Sequence, residues 1–109
     1  MTARPAIRRA RASRDGHEAI GYYLEQQAPQ TAEAFVLALE QAIAHIRRHP
    51  ATGSPRYAHA LGLAGLRCWP CKRFPYLVFY LERPNHIDIW RILHGQRDIQ
   101  DSLLGGDES

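Results

Sequence analysis

Arg91, His94 and Arg97 fall within seven residues, in a stretch that reads Arg91-Ile92-Leu93-His94-Gly95-Gln96-Arg97-Asp98. Histidine exchanges protons near neutral pH. Arginine holds phosphate and stabilises developing negative charge. Tyr80, on the preceding apolar segment, could join them. Together they would suit cleavage of an RNA backbone by attack of the 2′-hydroxyl. The same residues also admit a reading without chemistry. In that reading His94 is a turn residue with its hydrogen bond satisfied, and Arg97 is the ion-pair partner of Asp98.

Other chemistry has less support. Cys68-Trp69-Pro70-Cys71 has the spacing of a redox motif, but a strand-like segment follows it. The helix N-terminus that would lower a thiol pKa is therefore missing. Zinc would need a second pair of ligands, and the six histidines supply none at a metal spacing. The two cysteines are expected to be structurally incidental, with neither metal nor cofactor. His17, His45, His49 and His59 are expected on the surface. Phosphate-cradling glycine motifs and a nucleophile elbow are absent from the sequence.

Charge narrows the class of partner. The net value is +3, but it is partitioned. Residues 1–14 carry five Arg and no acid, and residues 15–46 carry five acids and no Lys or Arg. Residues 47–97 carry nine Lys or Arg against Glu82 and Asp88, and residues 98–109 carry four acids. This asymmetry suggests a basic face on the C-terminal half that meets an acidic or polar macromolecule, with local ion pairing as the alternative. No apolar run approaches the ~20 residues that span a bilayer, so no membrane role is expected and a cytoplasmic location is. The Arg-rich start has the composition of a transit peptide, but Pro5 followed by Ala6, Ile7 and Arg8 reads as an extended edge strand.

The elements that must position these residues follow from periodicity. Residues 15–27 read as a helix, with Asp15 as cap, Glu18 completing a capping box, and Ala19, Ile20, Tyr23 and Leu24 on one face. Pro29 opens a second helix whose stripe is Ala32, Phe35, Val36, Leu39, Ala42, Ile43 and Ile46. The short link implies an antiparallel hairpin. Residues 51–60 read as a loop, and residues 66–69, 73–82 and 86–93 as strands, the last two joined by a turn at Arg83-Pro84-Asn85. Leu77, Phe79 and Leu81 face one way, and Tyr76, Val78 and Tyr80 the other. Ile92 and Leu93 break the alternation of the last strand, which implies a bulge or strong twist. The expected fold is α+β: an N-terminal strand, a helical hairpin and a three-stranded antiparallel sheet, in one domain over residues 1–104 with a disordered tail at 105–109.

The blocks Phe74-Pro75-Tyr76-Leu77-Val78-Phe79-Tyr80 and Ile89-Trp90-Arg91-Ile92-Leu93-His94-Gly95-Gln96-Arg97-Asp98-Ile99 resemble the ParE-type toxins of the ParE/RelE superfamily. Weaker matches lie in Ala19-Ile20, Tyr23, Ala32, Phe35-Val36, Pro50, Gly53, Arg56 and Gly65-Leu66-Arg67. The resemblance spans roughly residues 20–104. It implies a small sheet packed on a helical hairpin and a dedicated antitoxin whose C-terminal segment wraps the toxin. ParE-like members poison DNA gyrase, whereas the RelE-like branch cleaves mRNA on the ribosome with basic residues plus a Tyr or His. On the ParE-like reading Arg67, Arg73, Tyr80, Arg91 and Arg97 contact the target by binding, with no catalytic residue. On the nuclease reading Tyr80, Arg91, His94 and Arg97 are the candidates. A degenerate toxin that acts only as a binding partner is a third reading. The first helix departs from the family, with Gly16-His17 where an Asp-Leu pair is common. An apolar groove around Tyr76, Val78 and Tyr80 is expected to receive the antitoxin.

Overall fold

The computed structural model describes residues 3–96 and 99–105. β1 (Ala6–Arg8) is followed almost at once by α1 (Ala10–Gln26). The changeover is fixed by Arg9, whose N–H donates to Ile89 O at 3.0 Å while its own carbonyl accepts from Ser13 N–H at 3.0 Å. The helix therefore begins five residues before Asp15. Asp15 does not cap it: the side chain lies inside the helix and is buried. Pro29 sits in the first turn of α2 (Pro29–Arg48), where its missing N–H leaves no bond unmade. α2 buries Ala32, Phe35, Ala38, Leu39, Ala42, Ile43 and Ile46, close to the expected stripe, while Val36 is only half-buried. Full burial of a side chain such as Phe35 contributes about 1.5–3 kcal/mol.

The segment expected to be a loop instead holds a 3₁₀ turn (Pro50–Thr52) and a short helix, α3 (Arg56–Leu61). β2 (Arg67–Pro70), β3 (Tyr76–Glu82) and β4 (Ile87–His94) form the antiparallel meander, and α4 (Ile99–Gly105) closes the described chain. Gly105, assigned from sequence to a disordered tail, ends this helix. Residues 106–109 lie outside the described residues.

The sheet has four strands in the order β1-β4-β3-β2, with β1 parallel to β4. This corrects the expected three-stranded antiparallel sheet. A parallel partner needs a long crossover, and the helical hairpin with β2 and β3 supplies it, carrying the chain back beside its own start. The β3–β4 register runs Phe79 opposite Arg91 and then Tyr80 opposite Ile89, so Trp90 is an extra residue. That bulge resets the alternation: Ile87, Ile89 and Ile92 all face the helical hairpin, while Leu93 faces away.

Both faces of the sheet are covered. Val78 and Tyr80 pack with Phe35, Leu39 and Ile46 beneath the hairpin. Phe79 and Leu93 pack on the other side with Ile99 and Leu103 of α4, and with Tyr57 and Leu61 of α3. The groove expected at Tyr76, Val78 and Tyr80 is therefore not open: Val78 and Tyr80 are fully buried and Tyr76 is half-buried.

Candidate functional site

Packing separates the residues that the sequence groups together. Tyr80 is fully buried. Its hydroxyl donates to Pro50 O at 2.6 Å and accepts from Gly53 N–H at 3.1 Å. Burial pushes the phenol up from its ordinary value, against the opposing pull of the Gly53 bond and Arg67. Arg67 is half-buried and donates to Gly53 O at 2.7 Å. Tyr80 and Arg67 thus hold the Pro50–Gly53 backbone against the β2–β3 pair. Tyr80 has no surface from which to touch a target or move a proton, which corrects its place in both candidate sets.

Arg91 is also buried, at 7% exposure. Its guanidinium makes a forked pair with the Asp15 carboxylate, Nε to Oδ2 at 2.7 Å and Nη2 to Oδ1 at 3.0 Å. A third bond runs from Nη1 to Ser102 O at 2.9 Å, and Asp15 Oδ2 accepts Ile92 N–H at 3.0 Å. One ion pair therefore ties α1, β4 and α4 together. Every arm of this guanidinium is occupied inside the protein, so Arg91 too leaves the surface sets.

His94 closes β4 opposite Tyr76, their rings 5.3 Å apart and edge-on. Its Nδ1 accepts Gln96 N–H at 3.1 Å. The expected turn bond is therefore made, and His94 is half-buried. Arg73 is exposed in the turn between β2 and β3 at φ 73°, a left-handed conformation costly for a residue with a Cβ. Arg97 and Asp98 lie outside the described residues.

His94 opens onto a concavity of about 490 Å³ between α1 and the end of the sheet, lined with Tyr22, Tyr23, Tyr76 and Gln27. A smaller hollow of about 200 Å³ adjoins it, sharing Tyr22, Tyr76 and His94 and reaching Glu18. Sequence reasoning passed over Tyr22 because it falls outside the apolar stripe of α1. That position, with 51% exposure for so large a ring, is itself the signal. A third concavity, about 330 Å³, separates α2 from β2. There His45, expected on the surface, is half-buried and stacks on Trp69 at 4.0 Å, and burial lowers its pKa.

A model of the family described as the ParE toxin of the type II toxin–antitoxin system, parDE, matches residues 7–99. The chain belongs to this family. A solved structure described as the chromosomal ParDE TA system from P. aeruginosa contains a chain 17% identical to this one. The TM-score is 0.71, over 84% of this chain and 96% of that one. At that identity the likeness is one of fold. No curated protein sequence matches the chain.

As a ParE-type toxin the protein is one half of a toxin–antitoxin pair, and family membership implies an antitoxin partner. The basic face that its composition suggests is thinned by pairing. Arg9 holds the Asp88 carboxylate below its ordinary pKa through bonds of 2.9 and 2.8 Å, and Arg83 joins at 3.3 Å. Arg47 donates to Arg4 O at 2.8 Å. Arg48, Lys72 and Arg73 remain exposed. Among the described residues no group of three or more His, Cys, Asp or Glu could hold a metal ion, and no helix is long and apolar enough to cross a membrane.

Cys68 and Cys71 are free and buried on opposite faces of the sheet. Burial raises both thiols, Cys71 to about 12. A raised thiol keeps its proton in the folded state where the unfolded chain has already released it. The associated stability is therefore intact below pH 9 and falls as pH rises from 9 towards 12. Denaturant titrations between pH 8 and 11 are expected to show this alkaline loss, and Cys71→Ala is expected to make it shallower. An unchanged slope in the variant would show that Cys71 does not carry it.

Proposed function

We propose that this ParE-type toxin acts in the cytoplasm by binding DNA gyrase stoichiometrically, with its antitoxin masking it until released. The reading rests on the burial of Tyr80 and Arg91. A nuclease built from Tyr80, Arg91, His94 and Arg97 needs its acid, base and charge stabiliser within reach of one scissile phosphate. Two of those four are instead spent on holding the fold together. Binding asks less, because a few anchors on an otherwise neutral surface can carry most of the affinity. Arg67, Arg73 and Arg97 are the proposed target contacts that follow from the sequence, Arg67 being half-buried and Arg73 exposed.

His94 is the observation that keeps ribosome-dependent mRNA cleavage as the competing reading, because it alone of the nuclease set is described at the surface of a concavity. The test is His94→Gln, which keeps hydrogen-bonding capacity and removes the titratable group. Gyrase supercoiling should be inhibited by the wild-type protein and by the variant to within a few-fold. Loss of a general acid or base would lower a cleavage rate by roughly 10²–10⁴-fold. Cuts in mRNA on translating ribosomes that vanish in His94→Gln, with supercoiling untouched by either protein, would overturn the proposal.

A further inference from the structure

The groove between α1 and the end of β4 has a composition that selects a type of occupant. Its helix wall carries Glu18 and Tyr22, four residues apart and so on one face. Its strand wall is the Tyr76–His94 pair. Tyr22 and Glu18 are both exposed, and Glu18 has no ion pair among the described residues. The described lining contains no Lys or Arg, and Asp15, its other carboxylate, is taken by Arg91. Residues 15–46 carry five acids and no Lys or Arg, whereas Arg11 and Arg14 stand at the start of α1 and Arg47 and Arg48 at the end of α2, so the acidic character is local to the groove.

We propose that this groove docks an arginine-bearing segment of a partner protein. Tyrosine faces attract a guanidinium through their quadrupole, and a neighbouring carboxylate matches its planar fork of donors. A polynucleotide would bring phosphates against Glu18 with no cation in the described lining to receive them. An apolar helix would desolvate the tyrosine hydroxyls, the Gln27 amide and the His94 ring without replacing their hydrogen bonds. An arginine side chain satisfies the aromatic faces and the acid together. The inference stands whichever target the toxin inhibits.

The probe is a hexa-arginine peptide titrated into the full chain at 0.15 M salt, followed by NMR through the Ala19 and Tyr22 amides. Saturable shifts at these amides are expected. Glu18→Gln and Tyr22→Ala should each weaken binding about tenfold, and Tyr22→Phe should preserve it. Both side chains are exposed, so the variants should keep the wild-type circular dichroism. Three outcomes would overturn the proposal: no shift at these amides, an affinity unmoved by Glu18→Gln and Tyr22→Ala, or equal shifts with a hexa-glutamate peptide or a six-nucleotide single strand.

Discussion

Arg91→Met is expected to lower the stability of this toxin by about 3–5 kcal/mol, the range for breaking a buried ion pair from one side. The volume is roughly kept, so the loss is electrostatic. Asp15 would be left as a carboxylate at 7% exposure with only the Ile92 N–H as partner, and Ser102 O would lose its donor. A domain of this size has about 5–15 kcal/mol of stability in total, so Tm should fall by more than about 10 °C. The double variant Asp15→Leu/Arg91→Met removes both charges. It should recover much of the loss, because the unpaired buried charge rather than the absent attraction dominates the single variant. A single variant within 1 kcal/mol of wild type would refute this account of the pair. The result bears on function as well. Toxicity lost on charge reversal at Arg91 reports folding, so it is no evidence that Arg91 touches a target.

The sequence was most readable where one local pattern decided the outcome. The stripe along α2 needs only periodicity, and Pro29 marks its start because a missing N–H costs nothing there. The residues Ile87 to Leu93 signalled a bulge through their broken alternation, though only the pairing with β3 puts it at Trp90. Asp15 was misread because an acid just before an apolar periodic run is what a cap looks like. Its true partner, Arg91, is 76 residues away. Tyr80 and Arg91 failed for the same reason: their residue types belong at surfaces, and only tertiary partners make their burial tolerable. α3 and α4, of six and seven residues, are too short to hold themselves helical. They form because they cover Phe79 and Leu93, a requirement no local window contains. Missing them left one sheet face without its cover, and the groove expected at Tyr76, Val78 and Tyr80 was placed on the other face, which the hairpin fills. The tyrosine groove was missed in turn because its two walls come from segments far apart in the chain, Tyr22 to Gln27 on one side and Pro75 to Gln96 on the other.

Gly53→Ala is the other substitution expected to act strongly, by about 3 kcal/mol, at the upper end for overpacking. An added Cβ would overlap the Tyr80 hydroxyl and come within 2.9 Å of two of its ring carbons. The ring cannot retreat, since it is fully buried, and its hydroxyl is held between Pro50 O and Gly53 N–H. Gly53 itself has φ −64°, which any residue adopts, so backbone strain plays no part and the clash alone is tested. Tyr80→Phe should destabilise by about 1–3 kcal/mol, by leaving Pro50 O and Gly53 N–H without their shared partner. In that background Gly53→Ala should be milder than in wild type, because the closest atom is gone, and the two losses should fall short of additivity by at least 0.5 kcal/mol. Urea unfolding of the four proteins in the cycle measures this directly. Strict additivity would mean that the 50–53 segment moves freely away from Tyr80 and is not clamped by its hydroxyl. The same cycle guards the functional test. Tyr80→Phe is the natural probe of a catalytic phenol, and any toxicity it loses must be compared with that of Gly53→Ala, which leaves the phenol in place. Equal loss at equal stability assigns Tyr80 to the fold, whereas excess loss in Tyr80→Phe would return it to the chemistry.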